Sequence, residues 1–177
     1  IFVFLIFCFS LTIISCGDDK EESTENPGTT TTTDDTTTSS GLYVAVGDSA
    51  TILKSTDGIT WTSVSVTDSD NGSNSLSTGH TLNGVTYGNS TFVAVGTLSG
   101  STSILTSTDA TAWTHRTSGT TNTLNGVTYG NSTFVAVGDS ATVLKSTDGI
   151  TWTSVSVTDS DNGSSSLGLG HTLNGVT

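Results

Sequence analysis

Three copies of a short motif place an aspartate and a tryptophan at a fixed spacing. The motif reads S-T-D-G-I-T-W at Ser55–Trp61 and Ser146–Trp152, and S-T-D-A-T-A-W at Ser107–Trp113. Aspartate can act as an acid, a base or a nucleophile, and an indole ring can serve as a platform for a sugar. Paired-carboxylate chemistry needs two non-equivalent groups, whereas these aspartates are repeated copies. The repetition therefore favours a structural role.

The residues around each aspartate are typical of a tight turn between two strands. Glycine follows Asp57 and Asp148 directly, and it adopts positive φ without steric cost. A carboxylate in such a turn can accept hydrogen bonds from the N–H groups of the turn. Each tryptophan is expected to pack between neighbouring repeats. The positions to which we assign this structural role are Ser55, Asp57, Gly58, Trp61, Ser107, Asp109, Trp113, Ser146, Asp148, Gly149 and Trp152.

A second set of polar residues lies in two long loops that contain D-S-D-N-G-S. Carboxylates at positions i and i+2 followed by glycine are compatible with Ca²⁺, but the third carboxylate and the bidentate glutamate of an EF-hand are missing. An ordinary turn is therefore favoured, and we predict no cofactor, with Ca²⁺ as the weaker alternative. His80 and His171 close the loops at equivalent positions, where one histidine makes no metal site and a solvated side chain is expected. The binding-loop candidates are Asp68, Asp70, Asn71, His80, Asp159, Asp161, Asn162 and His171, and the Ca²⁺ candidates among them are Asp68, Asp70, Asp159 and Asp161.

Longer internal repeats surround these residues. The stretch T-L-N-G-V-T-Y-G-N-S-T-F-V-A-V-G occurs at Thr81–Gly96 and at Thr123–Gly138. Its beginning returns at Thr172–Thr177, and its end appears as G-L-Y-V-A-V-G at Gly41–Gly47. The sequence thus contains a unit of about 40 residues, a period typical of repeat architectures.

One unit contains four short runs that read as strands, at Leu124–Tyr129, Thr133–Gly138, Ala141–Ser146 and Ile150–Val157. These runs are rich in β-branched residues, and turns of glycine, asparagine and aspartate separate them, which predicts hairpins. No stretch has a useful helical periodicity. Four short strands per unit of about 40–45 residues are typical of a propeller blade. We therefore predict an all-β fold at residues 41–177, a β-propeller of four-stranded antiparallel blades, of which about three are visible.

The whole unit resembles a known repeat family. L-N-G-V-T-Y and F-V-A-V-G-D-S-A-T-V-L-K-S-T-D-G-I-T-W are similar to the Asp-box, or bacterial neuraminidase, repeats, and especially to the blades of propellers of the photosystem II assembly-factor type. The sialidase Asp-box separates aspartate and glycine by one residue. Here Asp148 and Gly149 are adjacent, and Ala110 follows Asp109. The resemblance therefore implies the wider repeat superfamily and not the sialidases themselves.

The first residues resemble the leader of a bacterial lipoprotein. Residues 1–15 form an apolar run that is too short to span a membrane but fits a secretory signal peptide. Ile13-Ile14-Ser15-Cys16-Gly17 resembles a lipobox, which implies that Cys16 is the site of lipid attachment. By the same resemblance, Gly17 implies the outer membrane, and Lys20-Glu21-Glu22 is similar to a signal for the cell surface. We expect a lipid-anchored protein of the cell envelope.

Residues 16–40 are rich in threonine, serine, aspartate and glutamate. Such a segment cannot bury enough apolar surface to offset its ordering entropy, so we expect a disordered tether. The sequence does not begin with methionine and stops within a unit that it has already repeated. We therefore expect an incomplete propeller, with further blades beyond this sequence.

Charge and loop length together indicate the kind of partner. The net charge of −12 disfavours nucleic acid and anionic lipid headgroups, so the membrane is expected to be reached only through the lipid anchor. Blade-to-blade loops are long at Thr67–His80 and Thr158–His171 but short at Arg116–Thr121, and Thr97–Ser101 extends a second-to-third-strand loop. In a propeller these loop sets open on one face, and insertions collected on one face indicate a binding face.

We predict a non-enzymatic scaffold that binds a protein or a polysaccharide through this face. A sialidase-like glycoside hydrolase is the alternative, and its site is expected to resemble a cluster of arginines with acidic and tyrosine residues. Arg116 is the single arginine and no glutamate follows Glu25, so such a site would have to lie in other blades. An envelope assembly factor is a further alternative, by analogy with the photosystem factors.

Overall fold

The computed structural model describes residues 41–66, 80–97, 104–159, 165–166 and 170–177. The predicted leader, the tether and Cys16 lie outside these ranges, as do five loop candidates, Asp68, Asp70, Asn71, Asp161 and Asn162. For Asp159 the structure describes the backbone alone.

Antiparallel hairpins join the strands into sheets that follow the order of the chain. The first blade comprises β1 (Tyr43–Val46), β2 (Ile52–Ser55) and β3 (Thr62–Val64). The second comprises β4 (Thr81–Gly88), β5 (Thr91–Thr97), β6 (Ile104–Ser107) and β7 (Thr114–Arg116). The third comprises β8 (Leu124–Gly130), β9 (Thr133–Gly138), β10 (Val143–Ser146) and β11 (Thr153–Ser154), and a small separate hairpin joins β12 (Thr158–Asp159) to β13 (Ser165–Ser166). The predicted all-β, propeller-type fold is confirmed, and the described ranges contain no helix long and apolar enough to span a membrane.

Local sequence explains the hairpin between the first two strands of a blade. Asn89 and Ser90 have φ values of 46° and 56°, and the register closes at Gly88 opposite Thr91. Two successive residues with positive φ form the two-residue turn whose twist matches that of antiparallel strands, and asparagine tolerates this conformation well. The same Asn-Ser pair forms the hairpin of the third blade, with φ values of 48° and 56°.

Two predicted strands differ from the observed ones. The third strand of the unit begins at Val143 and not at Ala141, because Ser140 and Ala141 adopt φ values of 55° and 53° in a turn. The fourth was predicted at Ile150–Val157 but covers only Thr153–Ser154. The backbone N–H groups of Ile150 and Thr151 donate to the carboxylate of Asp148, so they are not available to a strand ladder.

The hydrophobic core lies between the blades. Phe92 and Ala94 of β5 belong to a buried cluster shared with the first blade, whereas Val93 and Val95 belong to a cluster shared with the third. Both faces of this strand are therefore buried, which explains why F-V-A-V is continuously apolar instead of alternating.

The tryptophans of the second and third blades join these clusters. Trp113 packs between the first and second blades, with its ring centroid 6.4 Å from that of Phe92. Trp152 packs between the second and third blades, with the same centroid distance of 6.4 Å to Phe134. Each tryptophan thus covers the preceding blade, as predicted for these two positions. Trp61 is half-buried and lies in neither cluster.

Candidate binding face

The repeated aspartates hold their own turns together. Oδ1 of Asp148 accepts hydrogen bonds from the backbone N–H groups of Ile150 and Thr151, both at 2.8 Å, and from Oγ of Ser146 at 2.9 Å. Asp57 has the same three contacts at 2.7–2.8 Å, and Asp109 at 2.8–3.0 Å. The carboxylate thus supplies the acceptor that these N–H groups would otherwise find in a strand.

These hydrogen bonds keep the aspartates ionised. The N–H groups of Thr151 and Ile150, followed by the Ser146 hydroxyl, lower the pKa of Asp148 to about 2. Equivalent donors, again led by two backbone N–H groups, hold the pKa values of Asp57 and Asp109 below the ordinary range. A general acid or base works best with a pKa near the working pH. The geometry therefore supports a structural role for these carboxylates and gives no support to proton transfer by them.

The tryptophans of the motif are poorly placed to stack on a sugar where neighbouring blades cover them. Trp152 is buried and donates its indole N–H to the carbonyl of Gly149 at 3.0 Å. Trp113 is buried too, and its Nε1 has no hydrogen-bond partner within the part of the chain described. Trp61 makes the equivalent bond to the Gly58 carbonyl at 3.2 Å and is only half-buried.

Each long loop ends beside a turn of the blade that precedes it. In the first blade this turn joins β1 and β2, and in the third blade the equivalent turn joins β9 and β10. The N–H of Ala50 donates to the carbonyl of His80 at 2.9 Å, and the N–H of Leu82 donates to the carbonyl of Gly47 at 3.1 Å. In the third blade, Ala141 pairs with His171 at 2.7 Å, and Leu173 with Gly138 at 3.1 Å. We call the surface formed by residues 47–51, 80–81, 138–142 and 170–172 the loop face.

The two loop histidines differ in exposure. His171 is exposed, as predicted for a solvated loop residue. His80 is 8 % exposed, so the prediction of a solvated side chain is wrong for it. His80 precedes β4, whose Leu82 and Val85 belong to the buried cluster shared with the first blade. Within the described ranges, no group of three histidine, cysteine or acidic residues is arranged to hold a metal ion.

The loop face also carries functional candidates that the motif search missed. Asp48 is exposed at its edge, and the equivalent Asp139 accepts a hydrogen bond at 3.0 Å from Nδ2 of Asn125. The same amide donates to the carbonyl of Leu173 at 3.1 Å, so it joins the third blade to the segment at residues 170–177. G-D-S-A-T follows Y-V-A-V at Gly47–Thr51 and F-V-A-V at Gly138–Thr142, and it is the sequence signal that marks these aspartates; the second blade has Thr97 at this place.

Two grooves are lined by residues that do not belong to the loop face. The first, of about 590 Å³, is lined by the repeated N-G-V-T of β4, β8 and residues 174–177, and its lining contains no charged residue. A Cβ on Gly126 would lie 3.1 Å from the Cα of Gly175, which is a tight contact, whereas a Cβ on Gly84 would lie 3.5 Å from the Cα of Gly126, an ordinary van der Waals distance. The second groove, of about 290 Å³, lies between the second and third blades beside Arg116, whose Nε donates to Oγ1 of Thr106 at 2.9 Å.

Comparison with known proteins supports the fold. No family model matches the chain, and no curated protein matches it. Among solved structures, the chain is similar to "YCF48 bound to D1 peptide", with a TM-score of 0.50 and 16 % sequence identity. The alignment covers 64 % of this chain and 36 % of that one, so the chain spans little more than a third of the length of YCF48. At this identity the similarity shows a shared propeller-type fold.

Proposed function

We propose that this chain is a non-catalytic propeller scaffold that binds a protein segment through its loop face and is tethered to a bacterial envelope by residues 1–40. One observation carries the proposal. The described ends of the two long loops, His80 and His171, are hydrogen-bonded to equivalent turns at Ala50 and Ala141, so segments far apart in sequence meet on the loop face. Rigid strands that present variable loops on one face are a common arrangement for binding.

The charge of this surface indicates the chemistry of the partner. Asp48 is exposed on the loop face, and the sequence places two further aspartates in each long loop. The chain as a whole has a net charge of −12. Complementary charge accelerates association and excludes partners of the wrong sign. We therefore propose a basic, extended protein segment as the ligand.

The burial of the tryptophans favours a protein ligand over a polysaccharide. Sugar binding of the kind considered from the sequence would use exposed indole rings, but Trp113 and Trp152 are buried between blades. YCF48, whose structure is similar in fold, was solved with a D1 peptide, so one propeller of this type has a peptide ligand. An envelope assembly factor is a narrower form of the same function, and co-purification of one stoichiometric membrane-complex subunit would identify it.

A binding experiment with a charge-matched control tests the proposal. The purified full chain in detergent is titrated into a fluorescent lysine-rich peptide and into its glutamate-rich counterpart. One variant changes the loop aspartates to asparagine, and the control removes the same number of charges from the tether. The loop variant combines Asp68→Asn, Asp70→Asn, Asp159→Asn and Asp161→Asn, and the control combines Asp18→Asn, Asp19→Asn, Asp34→Asn and Asp35→Asn.

The expected result is binding of the lysine-rich peptide that weakens at least tenfold in the loop variant and less than threefold in the tether control. Binding should also weaken as salt increases, because exposed charges are screened within about 10 Å at 0.1 M ionic strength. Equal weakening in both variants would indicate attraction to total charge and would refute a site on the loop face. Release of sugar from a sialylated or other glycan by the full chain would refute the non-catalytic assignment.

A further inference from the structure

The two junctions between the described blades differ, although repeats of one unit form both. At the first junction, Lys54 of β2 extends to the second blade, and its Nζ donates to Oγ1 of Thr111 at 2.7 Å. Lys54 directly precedes the motif of its blade, and Thr111 is the fifth residue of the motif of the next blade. At the second junction these two positions hold Thr106 and Ile150. An isoleucine side chain has no hydrogen-bonding group, so this bridge between blades is missing at the second junction.

A groove of about 290 Å³ lies where the bridge is missing, because both replacements, Thr106 and Ile150, belong to its lining. We call this space the junction groove. It lies near the lower end of the roughly 300–1,000 Å³ that is typical of ligand pockets, so its size suits a small ligand. The lining residues that bear on the choice of ligand are Thr106, Thr108, Thr114, Arg116, Asp148 and Ile150.

The junction groove contains a cation at a position where the other two blades have valine. Arg116 corresponds to Val64 of the first blade and Val155 of the third, each three residues after the motif tryptophan. The side chain of Arg116 is half-buried, and its Nε donates to Oγ1 of buried Thr106 at 2.9 Å. This neutral acceptor orients the guanidinium without neutralising its charge. The two terminal nitrogens form a planar fork that matches the two oxygens of a carboxylate.

Two neighbours of Arg116 restrict the ligand further. Hydrogen bonds led by that of the Thr151 backbone N–H lower the pKa of Asp148 to about 2, so this carboxylate is charged at neutral pH. The guanidinium can pair with one carboxylate of a ligand, but Asp148 would repel a second negative charge. Ile150 is 49 % exposed and supplies apolar surface on the same groove. A ligand with one carboxylate and a short apolar tail therefore matches both the charges and the volume.

We propose that the junction groove binds a small monocarboxylate, whose carboxylate pairs with the guanidinium of Arg116 and whose apolar tail lies against Ile150. The groove shares no lining residue with the loop face, so this site is separate from the proposed protein-binding surface. The two proposals are tested with different ligands and different variants, and each can fail without the other.

Butyrate is the probe, titrated into the purified full chain in detergent and followed by saturation-transfer NMR. Butyramide, which is neutral, and succinate, which carries two carboxylates, are the comparison ligands. Arg116→Met removes the guanidinium, and Arg116→Lys keeps the charge but not the fork. Lys145→Met is the matched control, because Lys145 lines another threonine-rich groove of about 280 Å³ in the third blade.

The first junction supplies the design of two further variants. Thr106→Lys with Ile150→Thr introduces the pair of residues that forms the bridge at the first junction, and it should close the junction groove. Conversely, Lys54→Thr, Val64→Arg and Thr111→Ile together should build a second groove of the same kind at the first junction. Circular dichroism checks that every variant is folded.

Butyrate should bind to one site on the unchanged chain. Its affinity should fall about tenfold or more in Arg116→Met, about threefold or more in Arg116→Lys and less than about twofold in Lys145→Met, because charge-assisted bidentate pairs are strong. Butyramide and succinate should bind about tenfold more weakly than butyrate. The bridged variant of Thr106 and Ile150 should bind butyrate about fivefold more weakly, and the variant of Lys54, Val64 and Thr111 should bind two butyrates per chain.

Three outcomes would overturn the proposal. Absence of butyrate binding to the folded chain, or equal binding by the unchanged chain and Arg116→Met, would show that the groove is not this site. Equal binding of butyramide and butyrate would show that the carboxylate is not recognised. Tighter binding of a short capped peptide with one glutamate than of butyrate would assign the groove to an acidic side chain of a protein and not to a small ligand.

Discussion

Replacing Gly138 with alanine should destabilise the fold strongly, although it adds a single methyl group. A Cβ on Gly138 would lie 2.0 Å from the carbonyl oxygen of Thr123 and 3.0 Å from the Cα of Leu124. Both obstructing atoms are backbone, so relief requires that β8 and β9 separate by about 1 Å. Overpacking of this kind costs about 1–3 kcal/mol. The movement also strains the hydrogen bond from the Asp139 N–H to the Thr123 carbonyl, 3.0 Å long, which adds about 1 kcal/mol.

The combined cost of about 2–4 kcal/mol corresponds to a fall in melting temperature of roughly 5–15 °C for a chain of this size. Gly130→Ala provides the matched control. It lies at the end of β8 in the same blade, and a Cβ there meets no atom within 4 Å. This control should leave stability unchanged or raise it by up to about 1 kcal/mol, because alanine restricts the unfolded chain. Thermal and urea unfolding followed by circular dichroism measure both variants.

Gly96→Ala tests the same reasoning at an independent site, because its Cβ would lie 1.9 Å from the carbonyl oxygen of Thr81. It should lower the melting temperature by an amount similar to Gly138→Ala. Equal stabilities for Gly138→Ala and Gly130→Ala would refute the argument that the close approach of the first two strands requires glycine.

Three further predictions follow from the turn aspartates, the tryptophans and the leader. Because hydrogen bonds lower the pKa of Asp148 in the folded chain to about 2, its contribution to stability is fully present above about pH 4 and is lost as pH falls towards 2. Urea midpoints between pH 2 and 6 should therefore fall less steeply in Asp148→Asn than in the unchanged chain, and parallel curves would contradict the assignment. Trp152→Phe should lower the free energy of unfolding by about 1 kcal/mol more than Trp113→Phe, because of these two residues only Trp152 loses a hydrogen bond, to Gly149. The urea midpoints of the two variants, each compared with that of the unchanged chain, measure this difference. Cys16→Ser should abolish fatty-acid labelling in a bacterial host and release the chain from the membrane fraction, whereas persistent labelling would exclude Cys16 as the lipidation site.

Sequence reasoning succeeded where structure depends on residues close together in the chain. The Asn89-Ser90 hairpin and the turn at Asp148 are each decided by contacts within about three residues, so their residue types are informative. The period of the repeat predicted that these turns recur in each blade, and the number of turns per unit predicted four strands per blade. The fourth strand was predicted too long because β propensity at Ile150 and Thr151 was weighed without the competing carboxylate.

The site was harder to predict because it depends on which distant segments meet. The D-S-D-N-G-S loops and the loop histidines suggested a binding face, but the bond from Ala50 to His80 that joins loop to turn links residues far apart in sequence. His80 is buried and His171 is exposed, although both close a long loop and accept an equivalent backbone hydrogen bond, so no local pattern predicts the burial of His80. Asn125 was missed for the same reason, since its partners, Asp139 and Leu173, lie 14 and 48 residues away in the sequence.

The motif S-T-D-G-I-T-W shows which features depend on the sequence alone and which depend on the tertiary structure. Its sequence alone determines the turn, because the aspartate, serine and glycine satisfy one another within a few residues at Ser55–Trp61 and Ser146–Trp152 alike. Its sequence does not determine burial, because identical residues leave Ile59 85 % exposed and Ile150 49 % exposed. Burial depends on the blade packed alongside, and only the tertiary structure shows which described faces a neighbouring blade covers.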